Sequence, residues 1–152
     1  MAIIEHSIRI NASCEDVYRI SQDYKIRFDW DPFPDRLEMI GGGSYTAEQH
    51  KQVLVRSKLG MSMVVEFVQV KPPTCAAIVM VSGPWFLKKF AGSWTFAAST
   101  PGHTIAKFRY SIQAKPPILR KLIESLATLY FHKATRKRLI RLKEYCESKP
   151  GN

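Results

Sequence analysis

Hydrophobic residues recur first at every second position. Ile3–Ile10 alternates loosely through Ile4, Ile8 and Ile10 and reads as an opening strand. The next residues, Asn11-Ala-Ser-Cys-Glu-Asp, supply a helix start. With Ser13 as N-cap, Asp16 falls at the third helical position, and Glu15 and Asp16 both suit the positive helix end. Val17, Tyr18 and Ile20 give this short helix an apolar side, and Asp23–Trp30 reads as a second, stopped by Asp31-Pro32 and the turn at Pro34-Asp35.

From there to residue 114 strand follows strand. Arg36–Ile40 ends at Gly41-Gly42-Gly43-Ser44; Tyr45–Lys58 breaks at Leu59-Gly60; Met61–Val70 stops at Pro72-Pro73. Cys75–Val81, Trp85–Ala98 and His103–Ala114 follow, separated by Gly/Pro turns, which predicts an antiparallel meander. Parity sorts the faces. Phe90, Trp94 and Phe96 oppose Lys89, Ser93 and Thr95; Phe108, Tyr110 and Ile112 oppose Lys107, Arg109 and Ser111; Met63, Val65 and Phe67 oppose Glu66. The inner face is therefore aromatic and Met-bearing.

A long helix closes the chain. Pro116-Pro117 sits just before or inside its first turn, and no further Gly or Pro occurs until Lys149-Pro150-Gly151. Leu122, Leu126, Leu129, His132, Thr135, Leu139, Leu142 and Cys146 form its apolar stripe, polar only in the middle at His132 and Thr135. The mean step, about 3.4 residues, is below 3.6 and predicts a stripe that winds, as on a helix wrapping a twisted sheet.

Composition narrows the class. The chain has 152 residues, 45% of them hydrophobic, a size suited to one domain with its own core and too apolar for disorder. Its longest unbroken apolar run, Cys75–Val81, falls far short of the roughly 18 residues of a membrane span, and the N-terminus lacks the pattern of a secretory signal. Cys14, Cys75 and Cys146 are odd in number and widely spaced, which excludes a full disulfide framework and metal-finger spacing and points to a reducing, cytoplasmic compartment.

The net charge of +10 is concentrated at the end: residues 115–149 carry ten Lys or Arg against three Glu. Lys133, Lys137 and Arg141 repeat at i, i+4 and i+8 as one basic surface stripe, either a solvated face or a surface attracted to an anionic membrane. Stacking aromatics interleaved with basic residues are missing and no base-reading motif is present, so nucleic acid ranks below these two.

Catalytic chemistry has few candidates. His6 lies near the start of the first strand, His50 at the centre of Tyr45–Lys58, His103 in a turn and His132 on the helix stripe. His132 is the best placed as acid or base, with Tyr110 beside it as the second candidate. Asp29 and Asp31 flank Trp30 and read as turn and cap residues rather than paired carboxylates. Neither a metal nor any other cofactor is implied by the spacing of His, Cys and Asp, and Gly41–Ser44 is a hairpin turn rather than a phosphate loop.

One strand, two short helices, a meander and a terminal helix, in that order, resemble the START-like (SRPBCC) superfamily, in its polyketide cyclase/dehydrase-like branch. The matching residues are Ile8–Ser13, Glu15–Tyr18, Trp30-Asp31-Pro32, Pro72-Pro73, Gly92–Phe96, Gly102-His103-Thr104 and Arg138–Lys143, with Ser13 standing where relatives often have proline. The resemblance covers essentially the whole chain. It implies an α+β helix-grip fold for residues 1–152 as a single ligand-binding domain: a curved antiparallel sheet of about six to seven strands wrapped around a long C-terminal helix.

From periodicity alone, the inner-face side chains fill a solid core. The resemblance implies a cavity instead, lined by Trp30, Met63, Phe67, Phe90, Trp94, Phe108 and Tyr110, with Leu126, Leu129 and Tyr130 as a helix lid and His132 and Thr135 as polar groups that orient the ligand. Binding or transport of a hydrophobic small molecule (a lipid, polyketide, quinone or aromatic metabolite) is the leading expectation, with a cyclase or dehydratase using the same cavity as the alternative. A basic adaptor for membrane or RNA ranks third. No signal for an oligomeric state is present.

Overall fold

The computed structural model describes residues 1–148. Seven strands form one antiparallel sheet: β1 (Ala2–Ile10), β2 (Pro34–Ile40), β3 (Gln52–Ser57), β4 (Ser62–Lys71), β5 (Cys75–Ser82), β6 (Leu87–Thr100) and β7 (His103–Ala114). Two short helices, α1 (Cys14–Gln22) and α2 (Arg27–Trp30), follow β1, and α3 (Arg120–Glu147) ends the described chain. This is the helix-grip arrangement expected from the sequence.

Strands β2 to β7 are each hydrogen-bonded to the next, and β1 pairs with β7, giving the order β1-β7-β6-β5-β4-β3-β2. The chain must therefore cross from one sheet edge to the other between β1 and β2, and α1 and α2 make that crossing. Ser13 caps α1 as the sequence predicts, its Oγ accepting from the Asp16 N–H at 3.2 Å. Register shifts interrupt the β4–β5 ladder at Val64/Val65 and Phe67/Gln69, and the β6–β7 ladder near both ends. Such irregularities bend and twist strands, and they curve this sheet around α3, which packs on β1 and β7.

The parity of β6 and β7 holds. Phe90, Trp94 and Phe96 are buried, as are Phe108, Tyr110 and Ile112. Gly92 lies opposite Tyr110 in the register. A Cβ at Gly92 would stand 3.3 Å from the Phe108 ring and 3.4 Å from that of Tyr110, so its missing side chain gives both rings their room.

Two predicted elements differ, and the first is the second helix, expected over Asp23–Trp30 but regular only from Arg27. The strand expected over Tyr45–Lys58 is regular only from Gln52. Before it the chain turns through three glycines at positive φ, bridges Thr46 to Asp23, and takes His50 to φ 70°. His50 therefore sits in a loop, not mid-strand. The helix-stopping Lys149-Pro150-Gly151 lies outside the described residues, and Pro116-Pro117 precedes the helix by three residues.

The α3 stripe is right in its second half and wrong in its first. Thr135, Leu139, Leu142 and Cys146 are buried, whereas Leu122, Leu126 and Leu129 are exposed, Leu126 by 58% and Leu129 by 71%. The helix does not unwind to follow the leucines. At about 100° per residue, Leu126 stands about 180° around the axis from Thr135, and Leu122 and Leu129 about 140° and 120°. Phe131, about 40° from Thr135, takes the inward position and is buried.

Candidate ligand cavity

Between the concave face of the sheet, α2 and α3 lies a cavity that offers about 80 Å³ to the centre of a water-sized sphere. Its apolar wall comes from successive strands: Leu37, Val55, Met63, Val65, Phe67, Ala76, Ile78, Phe90, Trp94 and Phe108. Inward side chains alternate along each strand, which is how six strands, β2 to β7, converge on one space. Trp94 packs edge to face on Phe108 at 4.4 Å, and Tyr110 lies tilted against Phe131 at 4.7 Å.

One wall is polar. Asp31, just after α2, is fully buried and accepts from two arginines. Arg138 on α3 grips it with both forks, Nε to Oδ1 at 3.1 Å and Nη2 to Oδ2 at 2.9 Å, while its Nη1 donates to the Tyr110 hydroxyl. Arg27 on α2 reaches the same Oδ2 from Nη1 at 3.2 Å and the Ser21 carbonyl from Nη2 at 2.7 Å. The Phe33 N–H also donates to Asp31 Oδ1, at 3.0 Å. Both guanidinium groups lie near aromatic rings: Arg27 is 4.3 Å from Tyr24, and Arg138 4.8 Å from Phe108. Arg27 Nε is buried and has no partner.

Electrostatics follow from this packing. Burial pushes the Tyr110 phenol up to about 12, against the opposing pull of Arg138, so Tyr110 is neutral at pH 7. Burial alone would also favour neutral Arg138, but the Asp31 charge outweighs it and raises the guanidinium above its ordinary value.

The sequence-predicted residues divide into three groups. Met63, Phe67, Phe90, Trp94, Phe108 and Tyr110 all line the cavity. Trp30, Tyr130 and Thr135 stand behind its lining: Trp30 packs on Trp94 at 6.1 Å, Tyr130 on Phe131 at 5.0 Å, and Thr135 is fully buried. Leu126 and Leu129 are exposed and face away, about 120° or more around the helix from Thr135, and His132 is exposed and outside the lining. His132 instead meets His6 across the β1–α3 contact, Nδ1 to Nε2 at 2.8 Å. Desolvation and the nearby His132 and Arg136 lower the pKa of His6. Lys133, Lys137 and Arg141 are exposed, as expected of a basic stripe.

Arg27, Asp31, Arg138 and Phe131 were missed. Arg138 had a signal: it stands three residues after Thr135 and four before Leu142, on the inward face of the helix. Among the described residues, no three His, Cys, Asp or Glu side chains gather as a metal site, and no helix is long and apolar enough to cross a membrane.

A bent antiparallel sheet gripping a terminal helix around an aromatic cavity defines a START-like, helix-grip domain. The chain belongs to the polyketide cyclase/dehydrase and lipid transport family, whose model matches residues 1–147. Among solved structures it is similar to a START superfamily protein from Mycobacterium smegmatis (TM-score 0.74, 11% identity, covering 95% of this chain and 99% of that one). The Zhui aromatase/cyclase from Streptomyces sp. R1128 superposes with TM-score 0.77 at 12% identity, covering 95% and 93%. A norcoclaurine synthase from Thalictrum flavum gives 0.73 at 17%, covering 96% and 94%. At these identities the likeness is one of fold. No curated protein matches the sequence.

Proposed function

We propose that residues 1–152 act as one domain that binds a hydrophobic small molecule, in the cytoplasm, and carries or presents it. The supporting observation is the cavity itself, an apolar, aromatic space with a few polar groups in its lining, the usual form of a small-molecule site. Its volume is about half of the roughly 150 Å³ that accommodates benzene in an engineered core, so a larger ligand must displace the rim. Met61 and Met63, both half-buried in the lining, have the flexibility to yield.

Filling the cavity tests this. Ile78→Trp places an indole in the space, and should reduce binding of an apolar fluorescent dye such as 1-anilinonaphthalene by about tenfold or more without loss of the folded circular dichroism spectrum. Equal dye binding by both proteins would count against the cavity.

The cyclase or dehydratase reading has lost one of its two acid–base candidates, since His132 lies outside. Tyr110, neutral and held by Arg138, faces the cavity as a proton donor, and that reading now rests on it.

An anionic membrane is the partner surface we favour for loading and unloading. Ile118, Leu122, Leu126 and Leu129 form an exposed apolar row at the start of α3, and Trp85, 73% exposed, lies on the loop joined to it by the Lys115 N–H donating to the Phe86 carbonyl. A Cβ on Gly83 of the same loop would lie 3.1 Å from Met63 Cβ, so this loop abuts the cavity lining. Between Glu66 and Glu124 the chain has eight Lys or Arg and no Asp or Glu, and Lys115, Arg120 and Lys121 flank the start of the row. Apolar side chains framed by cations suit an anionic lipid interface.

A further inference from the structure

We propose that the compound this cavity takes is an apolar monoanion: a carboxylic acid with a ring or chain body, its carboxylate held by Arg27 and Tyr110. This rests on the binding reading above and narrows it to one ligand class. Among the described lining residues only Arg27 and Arg138 are charged, and the only acid they share is Asp31. Two guanidinium groups against one carboxylate leave the polar wall one positive charge in excess, on side chains only 5% and 7% exposed. A buried charge without its counter-charge is costly, and an anionic ligand supplies the missing one.

The hydrogen bonds agree with the charge count. Arg138 has Nε, Nη1 and Nη2 all engaged, by Asp31 and Tyr110. Arg27 has Nη1 and Nη2 engaged, but its Nε–H, in a side chain 5% exposed, points to no acceptor. The Tyr110 oxygen accepts from Arg138, which leaves its own O–H to donate. A carboxylate is acceptor-only and takes both protons, whereas an ammonium would add like charge and a hydrocarbon would satisfy neither. Apart from the Gln22 amide and the Ser57 hydroxyl, the rest of the lining is aliphatic or aromatic, so the body attached to that head is largely apolar.

The test pairs each acid with its neutral amide: 2-naphthoate against 2-naphthamide, and octanoate against octanamide, titrated calorimetrically at pH 7. The unmodified protein should bind at least one acid about tenfold or more tighter than its amide, the scale of one charge-assisted hydrogen bond. The pair that responds tells an aromatic acid from a chain. Arg27→Met should bring that ratio towards one. If this variant fails to fold, the ratio in the unmodified protein still decides. Amides that bind as well as their acids would overturn the acid class and leave the cavity reading standing. If neither acids nor amides bind, and the dye does not bind either, both readings fall.

Discussion

Asp31 is the residue on which the polar wall turns. It is fully buried and the only acid between Arg27 and Arg138. Removing one member of such a group leaves uncompensated charge behind, at a cost of about 3–5 kcal/mol. Asp31→Asn should therefore lower unfolding stability by that amount in urea titration, whereas the exposed Asp35, paired with Arg56, should lose less than about 1 kcal/mol on the same change. Equal effects at the two positions would contradict the account. Half of this role was legible in the sequence. Asp31 was read as a turn residue, and it does accept from the Phe33 N–H two positions on. Its partner Arg138 lies 107 positions away, beyond any local pattern.

At the scale of elements, legibility followed period. Strands with clean alternation, β6 and β7, put their aromatic residues where parity predicted. Gly41–Gly43 marked a turn correctly, but not that the chain would continue as a loop to Lys51, tied to the α1–α2 connection by the Asp23–Thr46 bridge. Helix α3 misled because it carries two apolar surfaces. Its inward face runs through Phe131, Thr135, Arg138, Leu139, Leu142 and Cys146, and its leucine row faces outward. Reading both as one winding stripe gave a lid that a straight helix cannot present. The outward row has its own prediction. Changing Leu122, Leu126 and Leu129 together to Ser should reduce partition into phosphatidylserine-containing vesicles by about tenfold or more, since each buried Leu is worth about 1.5–3 kcal/mol. Raised salt should weaken the unmodified protein's partition as well, through its Lys and Arg contacts. Unchanged sedimentation with vesicles after the triple change would remove the membrane from the account.

For the molecule as a whole, order of elements carried more information than any single motif. The chain crosses from β1 to β2 over two short helices, returns strand by strand to β7, and lays α3 on β1 and β7. That path leaves a concave aromatic face only partly filled by its own helix. The sequence pattern gave the face but could not distinguish a packed core from a hollow one, because the difference depends on how sheet curvature and the few inward α3 side chains add up. Charge divides by location. The excess on the outside frames an apolar row, while the single excess charge inside stands at the end of an apolar space.

Native mass spectrometry of the protein purified from its own cells measures the central claim most directly. A population heavier than the polypeptide by one small molecule should appear, the molecule released on denaturation and recovered as an apolar acid. Folded protein that shows only the polypeptide mass, and still does so after incubation with 2-naphthoate, octanoate and the neutral dye, would contradict it.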